Sequence, residues 1–338
     1  EFYIGRVAFQ MQNRITNELK LPYGTVYIGD YAFNHCSGFS NKVTNIPSTV
    51  QIIGGVPNTI TSGGTTLNYY LFRDSLIIWG QDNVNTWMGD HTFYDFAVSN
   101  NEEFTVGEDG TNESQYFKAV NGVLYGKNRL GVEGIYRLCS IPCCKGKGKT
   151  GDDLILNVEE GVIHFDQLGY GRNQYLEELV IPNSYTIITY EDFKSLGTSK
   201  AQRGKYPLNF DADNHAGNEL TSFVYQWCKL KRFNVKSDNT KYTAIDGCIY
   251  TKDGKTLMAV PYYYTGELNI PEGVTTIGYG AIYCLHETSC TKIVIPSTVT
   301  EIDKTTLSNM NRVAANRMEI SNDNTVYGIS DGKIVKKG

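Results

Sequence analysis

Short apolar-x-apolar triplets recur along the chain. Five run into a proline or its equivalent: Leu19-Lys20-Leu21, Leu156-Asn157-Val158, Leu179-Val180-Ile181, Leu268-Asn269-Ile270 and Ile293-Val294-Ile295. Related triplets without proline are Leu76-Ile77-Ile78, Phe96-Ala97-Val98, Leu208-Asn209-Phe210, Phe233-Asn234-Val235 and Met318-Glu319-Ile320. Alternation with a period of two over so few residues predicts a very short strand with one buried face. A proline after the triplet ends its hydrogen bonding and turns the chain. Six residues beyond each proline stands an isoleucine: Pro22 leads to Ile28, Pro47 to Ile53, Pro182 to Ile188, Pro271 to Ile277 and Pro296 to Ile302. Glu159 takes the place of proline on the way to Phe165.

The period is about two dozen residues. Pro22 to Pro47 is 25 residues, Glu159 to Pro182 is 23, and Pro271 to Pro296 is 25. The string Ile4-Gly5-Arg6-Val7-Ala8-Phe9 returns as Ile28-Gly29-Asp30-Tyr31-Ala32-Phe33 and as Ile277-Gly278-Tyr279-Gly280-Ala281-Ile282. One short strand per period cannot bury its apolar face alone. Stacked copies form a parallel sheet over a continuous core, which is a solenoid. The isoleucine six beyond the proline and the aromatic five positions later are expected to point inward from the far side of each coil.

A longer module is duplicated as well. Phe233-Asn234-Val235, then Tyr242 to Tyr250, run into Leu257-Met258-Ala259-Val260-Pro261. An earlier copy starts at Phe96-Ala97-Val98 and continues through Tyr116–Tyr125 to Leu138–Pro142, and a partial third closes the chain from Ile320 to Val335. Asp253-Gly254 between apolar runs is a hairpin turn signal, so β-hairpins are expected to decorate the solenoid.

The composite I/L-P-x-x-V-x-x-I-G-x-x-A-F-x-x-C, seen best from Leu21 to Cys36 and from Ile270 to Ile295, is similar to the BspA-type leucine-rich repeat proteins. The resemblance covers about 1–57, 154–196 and 205–338, and is poor over 58–95 and 99–153. It implies a right-handed leucine-rich-repeat solenoid with a parallel sheet on one face and irregular or short helical turns on the other. It also implies a bacterial surface protein of the kind common in gut and oral Bacteroidetes, secreted or anchored at the outer cell surface. The whole chain is read as one continuous solenoid: regular repeats at 1–57, degenerate repeats with hairpin insertions at 58–153, regular repeats at 154–232, then a hairpin module, repeats and a cap at 233–338.

Charge and composition narrow the function. The net charge of −5 weighs against a nucleic-acid partner. No run approaches 18 apolar residues, so no transmembrane segment is expected. No signal peptide is visible from Glu1 onward, which leaves the compartment open. The eight cysteines, at 36, 139, 143, 144, 228, 248, 284 and 290, have no C-x-x-C spacing and are read as small buried residues, with one or two bridges as the alternative.

No catalytic constellation emerges. Gly146-Lys147-Gly148-Lys149-Thr150-Gly151 matches G-x-G-x-x-G but precedes a strand rather than a helix, so it is read as a basic loop. Cys284, His286 and Cys290 are close in sequence, yet no second histidine completes a metal site. Asp211-Ala212-Asp213-Asn214 and the Asp-Asn pairs at 238–239 and 323–324 lack the glycine and glutamate of a calcium loop and are read as turn formers. No cofactor is called for.

Two binding surfaces remain. The central triplet residues point away from the core, and Asn45, Asn157, Asn209, Asn234 and Asn269 would offer a ladder of amides that both donate and accept. Tyrosine is abundant, at 24 residues, and clusters at Tyr69-Tyr70 and Tyr262-Tyr263-Tyr264. An exposed tyrosine suits protein or sugar contacts, while burial under hairpins is the other reading. The expected function is a monomeric, non-catalytic, adhesin-like module recognising an extracellular protein or glycan. A spacer presenting another domain, or a hydrolase within 58–153, are the alternatives.

Overall fold

The computed structural model of the chain describes residues 1–5, 7–29, 31–53, 60–62, 65–67, 93, 96–129, 132–165, 170, 172–186, 218–224, 228–283, 285–286 and 288–338. Leu76–Ile78, Tyr69-Tyr70, Ile188, Leu208-Asn209-Phe210, Asp211–Asn214 and Cys284 lie outside them. The first strands are β1 (Phe2–Ile4), β2 (Thr25–Ile28), β3 (Val43–Ile46), β4 (Ile52–Ile53), β5 (Ile60–Ser62), β6 (Thr65–Leu67), β7 (Glu103–Val106), β8 (Phe117–Val120), β9 (Val123–Arg129) and β10 (Val132–Ser140). Then come β11 (Ile155–Asn157), β12 (His164–Phe165), β13 (Glu178–Ile181), helix α1 (Glu219–Phe223), β14 (Arg232–Val235), β15 (Tyr242–Ile245), β16 (Cys248–Thr251) and β17 (Thr256–Ala259). The last are β18 (Gly266–Asn269), β19 (Thr276–Ile277), β20 (Cys290–Ile295), β21 (Glu301–Ile302), helix α2 (Lys304–Val313), β22 (Met318–Ile320), β23 (Tyr327–Ser330) and β24 (Lys333–Lys336). They fold as two compact units, one of residues 1–150, 159–175 and 193–209, the other of 151–158, 176–192 and 210–338.

In the first unit β3 pairs directly with β7, in parallel, with Asn45 opposite Thr105. Thr44, Ile46, Phe104 and Val106 are buried while Val43 and Asn45 are exposed, as period-two alternation requires. The triplet leading the hairpin is therefore Phe104-Thr105-Val106. Phe96-Ala97-Val98, expected to be that strand, is a turn: Ala97 has φ 44 and its N–H donates to Cys36 O at 3.1 Å. Phe96 and Ala97 are both buried, which a strand with one buried face does not allow. The core here is aromatic, with Phe33 stacked between Phe9 (5.4 Å) and Phe93 (5.8 Å).

The second unit carries two three-stranded parallel sheets, β11-β13-β14 and β18-β20-β22. Leu156, Leu179 and Phe233 pack inward from the first, and Leu268 and Ile293 from the second. β13 pairs β14 in register from Glu178↔Arg232 to Ile181↔Val235.

The far side, expected to hold irregular or short helical turns, also carries short strands, and α2 follows β21 directly. The isoleucines six beyond Pro22, Pro47, Pro271 and Pro296 sit in a second set of short parallel strands. Ile4, Ile28 and Ile53 align across β1-β2-β4, and Leu257, Ile277 and Ile302 align across β17-β19-β21. A buried backbone must satisfy its N–H and C=O groups, and a neighbouring copy at the same height supplies them. The first two hairpins are continuous with such parallel strands rather than appended to them, whereas β23-β24 is a two-stranded sheet of its own. β10 closes β8-β9 on one side and pairs β12 in parallel on the other. β17 stands likewise between β16 and β19.

Each hairpin opens on a two-residue turn, Asn121-Gly122, Asp246-Gly247 or Asp331-Gly332, with positive φ at both positions. That is the type I′ geometry that Asn/Asp-Gly favours. The glycine carbonyl accepts the N–H of Phe104 (2.9 Å), Phe233 (2.8 Å) or Asn316 (3.0 Å). Asp253-Gly254, the turn read from the sequence, joins β16 to β17.

The asparagines read as turn formers do more than bond their own backbone. Asn239 is fully buried. Its Nδ2 donates to Pro182 O (2.9 Å) and Tyr185 O (2.7 Å), 57 and 54 residues away. Its Oδ1 accepts from the N–H groups of Lys241 and Tyr242. Asn324 makes the same four bonds, to Pro296 O, Val299 O, Val326 N and Tyr327 N. One amide thus satisfies the turn after the proline of one repeat and the start of the next hairpin.

Candidate binding surface

The outward side chains of the triplet strands fall on shared rows because the register is straight. In the first unit Asn45 is exposed, and Thr105 Oγ1 donates to its Oδ1 at 3.0 Å. In the second unit Asn157, Val180 and Asn234 form one row, and Asn269, Val294 and Glu319 form another. The four described asparagines therefore point outward as the alternation predicts, but no two are adjacent. A ladder of amides is replaced by amide–valine–amide and amide–valine–carboxylate rows. β-Branched residues fit a pleated, half-exposed surface, which is why Val180 and Val294 hold the central strands.

Ion pairs flank these rows. Arg232 approaches Glu178 at 3.7 Å, and Lys231 binds Glu177 at 2.6 Å. Asn234 Nδ2 donates to Glu178 Oε1 at 3.1 Å. Lys292 pairs Glu319 diagonally, and that hydrogen bond raises the lysine above its ordinary pKa. Glu178, Lys292 and Thr105 are surface residues that the triplet reading did not single out. Their signal was present: each lies at an outward position beside a neighbouring triplet, visible once the strands are aligned.

The tyrosine loop divides. Tyr262 and Tyr263 are half-buried and lie against His286, with ring centroids 5.7 and 4.5 Å away. Tyr264 turns inward onto the core of the second unit, its hydroxyl donating to Glu267 O at 3.5 Å. Burial, with smaller contributions from Cys248, Asp246 and Cys290, pushes its phenol up to about 12. Tyr264 therefore serves packing, while Tyr262 and Tyr263 lie against His286.

The described cysteines are buried and unbridged. Burial raises the thiols of Cys36, Cys144, Cys248 and Cys290 and pushes Cys228 up to about 12. A cysteine nucleophile needs the opposite shift. The 146–151 loop is tied down by Lys147 Nζ donating to Ser99 O at 3.0 Å. Among the described residues no group of three or more His, Cys, Asp or Glu is placed to hold a metal ion. What the arrangement offers is a firm, patterned surface of hydrogen-bonding and charged groups.

The family profile described as the BspA type leucine-rich repeat region matches residues 3–56 and 262–330, in six copies. These stretches are BspA-type leucine-rich repeats. The BspA-type repeats hold β2–β4 and β18–β23, with the row through Asn269. Residues 154–196, which resemble the same repeats, lie outside the matched stretches. No curated protein matches the chain.

Three solved structures are similar. A leucine-rich repeat protein from Eubacterium ventriosum is 18% identical over 86% of this chain and 56% of its own, with a TM-score of 0.33. A leucine rich cell surface protein from Faecalibacterium prausnitzii is 17% identical over 94% of this chain and 69% of its own, TM-score 0.38. The pneumococcal vaccine antigen PcpA is 11% identical over 78% and 62%, TM-score 0.31. The chain spans little more than half the length of the Eubacterium protein. No helix among the described residues is long and apolar enough to cross a membrane.

Proposed function

We propose that the chain is a non-catalytic recognition module that engages an extracellular protein or glycan through its outward strand rows. The observation that carries this reading is the straight register of those rows. Asn157, Val180 and Asn234 stand side by side on paired strands, so their spacing is set by the sheet rather than by mobile loops. A pre-organised surface loses little entropy on binding. A place at the outer cell surface follows the expectation attached to the repeat type.

The test is a binding screen of the whole protein on glycan arrays and a panel of extracellular matrix proteins. A ligand whose affinity falls about tenfold in the N157A/N234A/N269A triple variant, with unchanged circular dichroism, supports the strand rows. Silence on both panels, or a ligand indifferent to the triple variant, refutes them.

A further inference from the structure

The three hairpin modules share a frame but not a third strand. Two residues beyond the turn glycine, the first hairpin places Leu124 and the second Ile249. Each is bridged on its outer side by a further strand, with Leu124 opposite Ser140 in β10 and Ile249 opposite Ala259 in β17. The equivalent residue of the last hairpin is Ile334 in β24. Its outer side meets a single side chain of α2 instead. Ile334 N donates to Asn311 Oδ1 at 2.8 Å, and Asn311 Nδ2 donates to Ile334 O at 3.1 Å. These are the two bonds that a paired strand residue would make, supplied by one carboxamide.

The next outward position is Lys336. In the β23–β24 register Lys333 and Val335 bond inward, so Ile334 and Lys336 turn their N–H and C=O groups outward. Lys337 N bonds Val326 O, which continues the alternation. Lys336 N–H and C=O have no partner among the described residues. The edge is also basic. Lys333, Lys336, Lys337 and Arg312 are exposed, and the segment from Lys304 to Gly338 holds six cationic and three anionic side chains in a chain of net charge −5.

We infer that the outer edge of β24 is a strand-addition site for an extended acidic segment of a partner, and that Asn311 closes it in the free protein. An incoming strand takes over the Asn311 bonds at Ile334, adds those at Lys336, and sets carboxylates opposite the lysines. Main-chain pairing gives affinity and alternate side chains give selectivity, as in other edge-strand recognition. A second copy of β24 is disfavoured as occupant because antiparallel pairing would oppose lysine to lysine.

The test uses the whole protein and a labelled seven-residue peptide alternating Glu and Val, followed by fluorescence anisotropy at low salt, beside a Lys-Val peptide. The acidic peptide is expected to bind and the basic one not. Asn311→Ala should tighten binding about fivefold, the worth of about one hydrogen bond no longer in competition. Lys336→Pro, which removes an outward N–H but no hairpin bond, should weaken it about fivefold. Equal binding of the two peptides, or no effect of Lys336→Pro, overturns the inference. If circular dichroism shows Asn311→Ala unfolded, the Lys336→Pro comparison decides alone. A concentration-dependent dimer of folded Asn311→Ala without peptide would assign the edge to a second copy and equally overturn it. The edge is separate from the strand rows of the proposed function, so either can fail without the other.

Discussion

Asn239→Ala is the substitution from which most can be learned. The wild-type amide is fully buried and makes four hydrogen bonds to main-chain groups. Truncation removes the bonds to the carbonyls of Pro182 and Tyr185 and to the N–H groups of Lys241 and Tyr242, in a site lined by buried Tyr185 and Tyr242. At about 1 kcal/mol for each bond, the loss is about 4 kcal/mol. That is a large part of the roughly 5–15 kcal/mol that holds a domain folded. The assay is urea denaturation followed by far-UV circular dichroism, where a lower midpoint at unchanged slope reports stability alone. Asn324→Ala removes the same set of bonds in the same unit and should cost a similar amount. Asn269→Ala, at an exposed position, should change stability by less than about 0.5 kcal/mol. Asn239→Asp keeps the acceptor, loses both donors and sets a negative charge against two carbonyls. Its deficit should shrink as pH falls, because the protonated carboxyl regains one donor. A cost below about 1.5 kcal/mol for Asn239→Ala would refute the reasoning, since it would mean that the four groups find other partners at little expense.

Three further outcomes are expected. Gly332→Ala should destabilise more than Gly254→Ala. Both have positive φ, near +70°, but an added Cβ at 332 would lie 1.9 Å from Asn316 Oδ1, whereas at 254 it meets open space; equal costs in urea would remove the steric part of the argument. Stability should fall as pH rises from 9 toward 12, because the Cys228 thiol is raised from 9.0 to about 12 by burial. Below 9 the thiol is protonated in both states; above it the unfolded chain loses the proton first and is favoured. Cys228→Ala should flatten that slope between pH 8 and 10.5, and an unchanged slope would count against it. Phe33→Ala, which empties the stack between Phe9 and Phe93, should cost about 3–5 kcal/mol in the first unit by thermal denaturation; a cost under about 1 kcal/mol would show the stack to be loosely packed.

The local rules written into the chain were legible without coordinates. Period-two alternation marked Leu156–Val158, Leu179–Ile181, Leu268–Ile270 and Ile293–Ile295 as strands with one buried face. The count of six from proline placed Ile28, Ile53, Ile277 and Ile302 in the core. Outward asparagines at 45, 157, 234 and 269 followed from the same alternation. These are properties of a few neighbouring residues, fixed by the geometry of a pleated strand and a turn.

Which copy pairs with which was decided by tertiary structure. Three-residue alternation is degenerate, so Phe96–Val98 reads as well as Phe104–Val106. Only packing rejects the first, where two consecutive residues are buried against a neighbouring turn. The second parallel ladder, the partners of Asn239 more than 50 residues away, and the inward turn of Tyr264 likewise depend on what lies beside a residue in space. Sequence alone determined which side chains each strand would bury; the register between distant strands, set by the demand that every buried N–H and C=O find a partner, decided which side chains would meet.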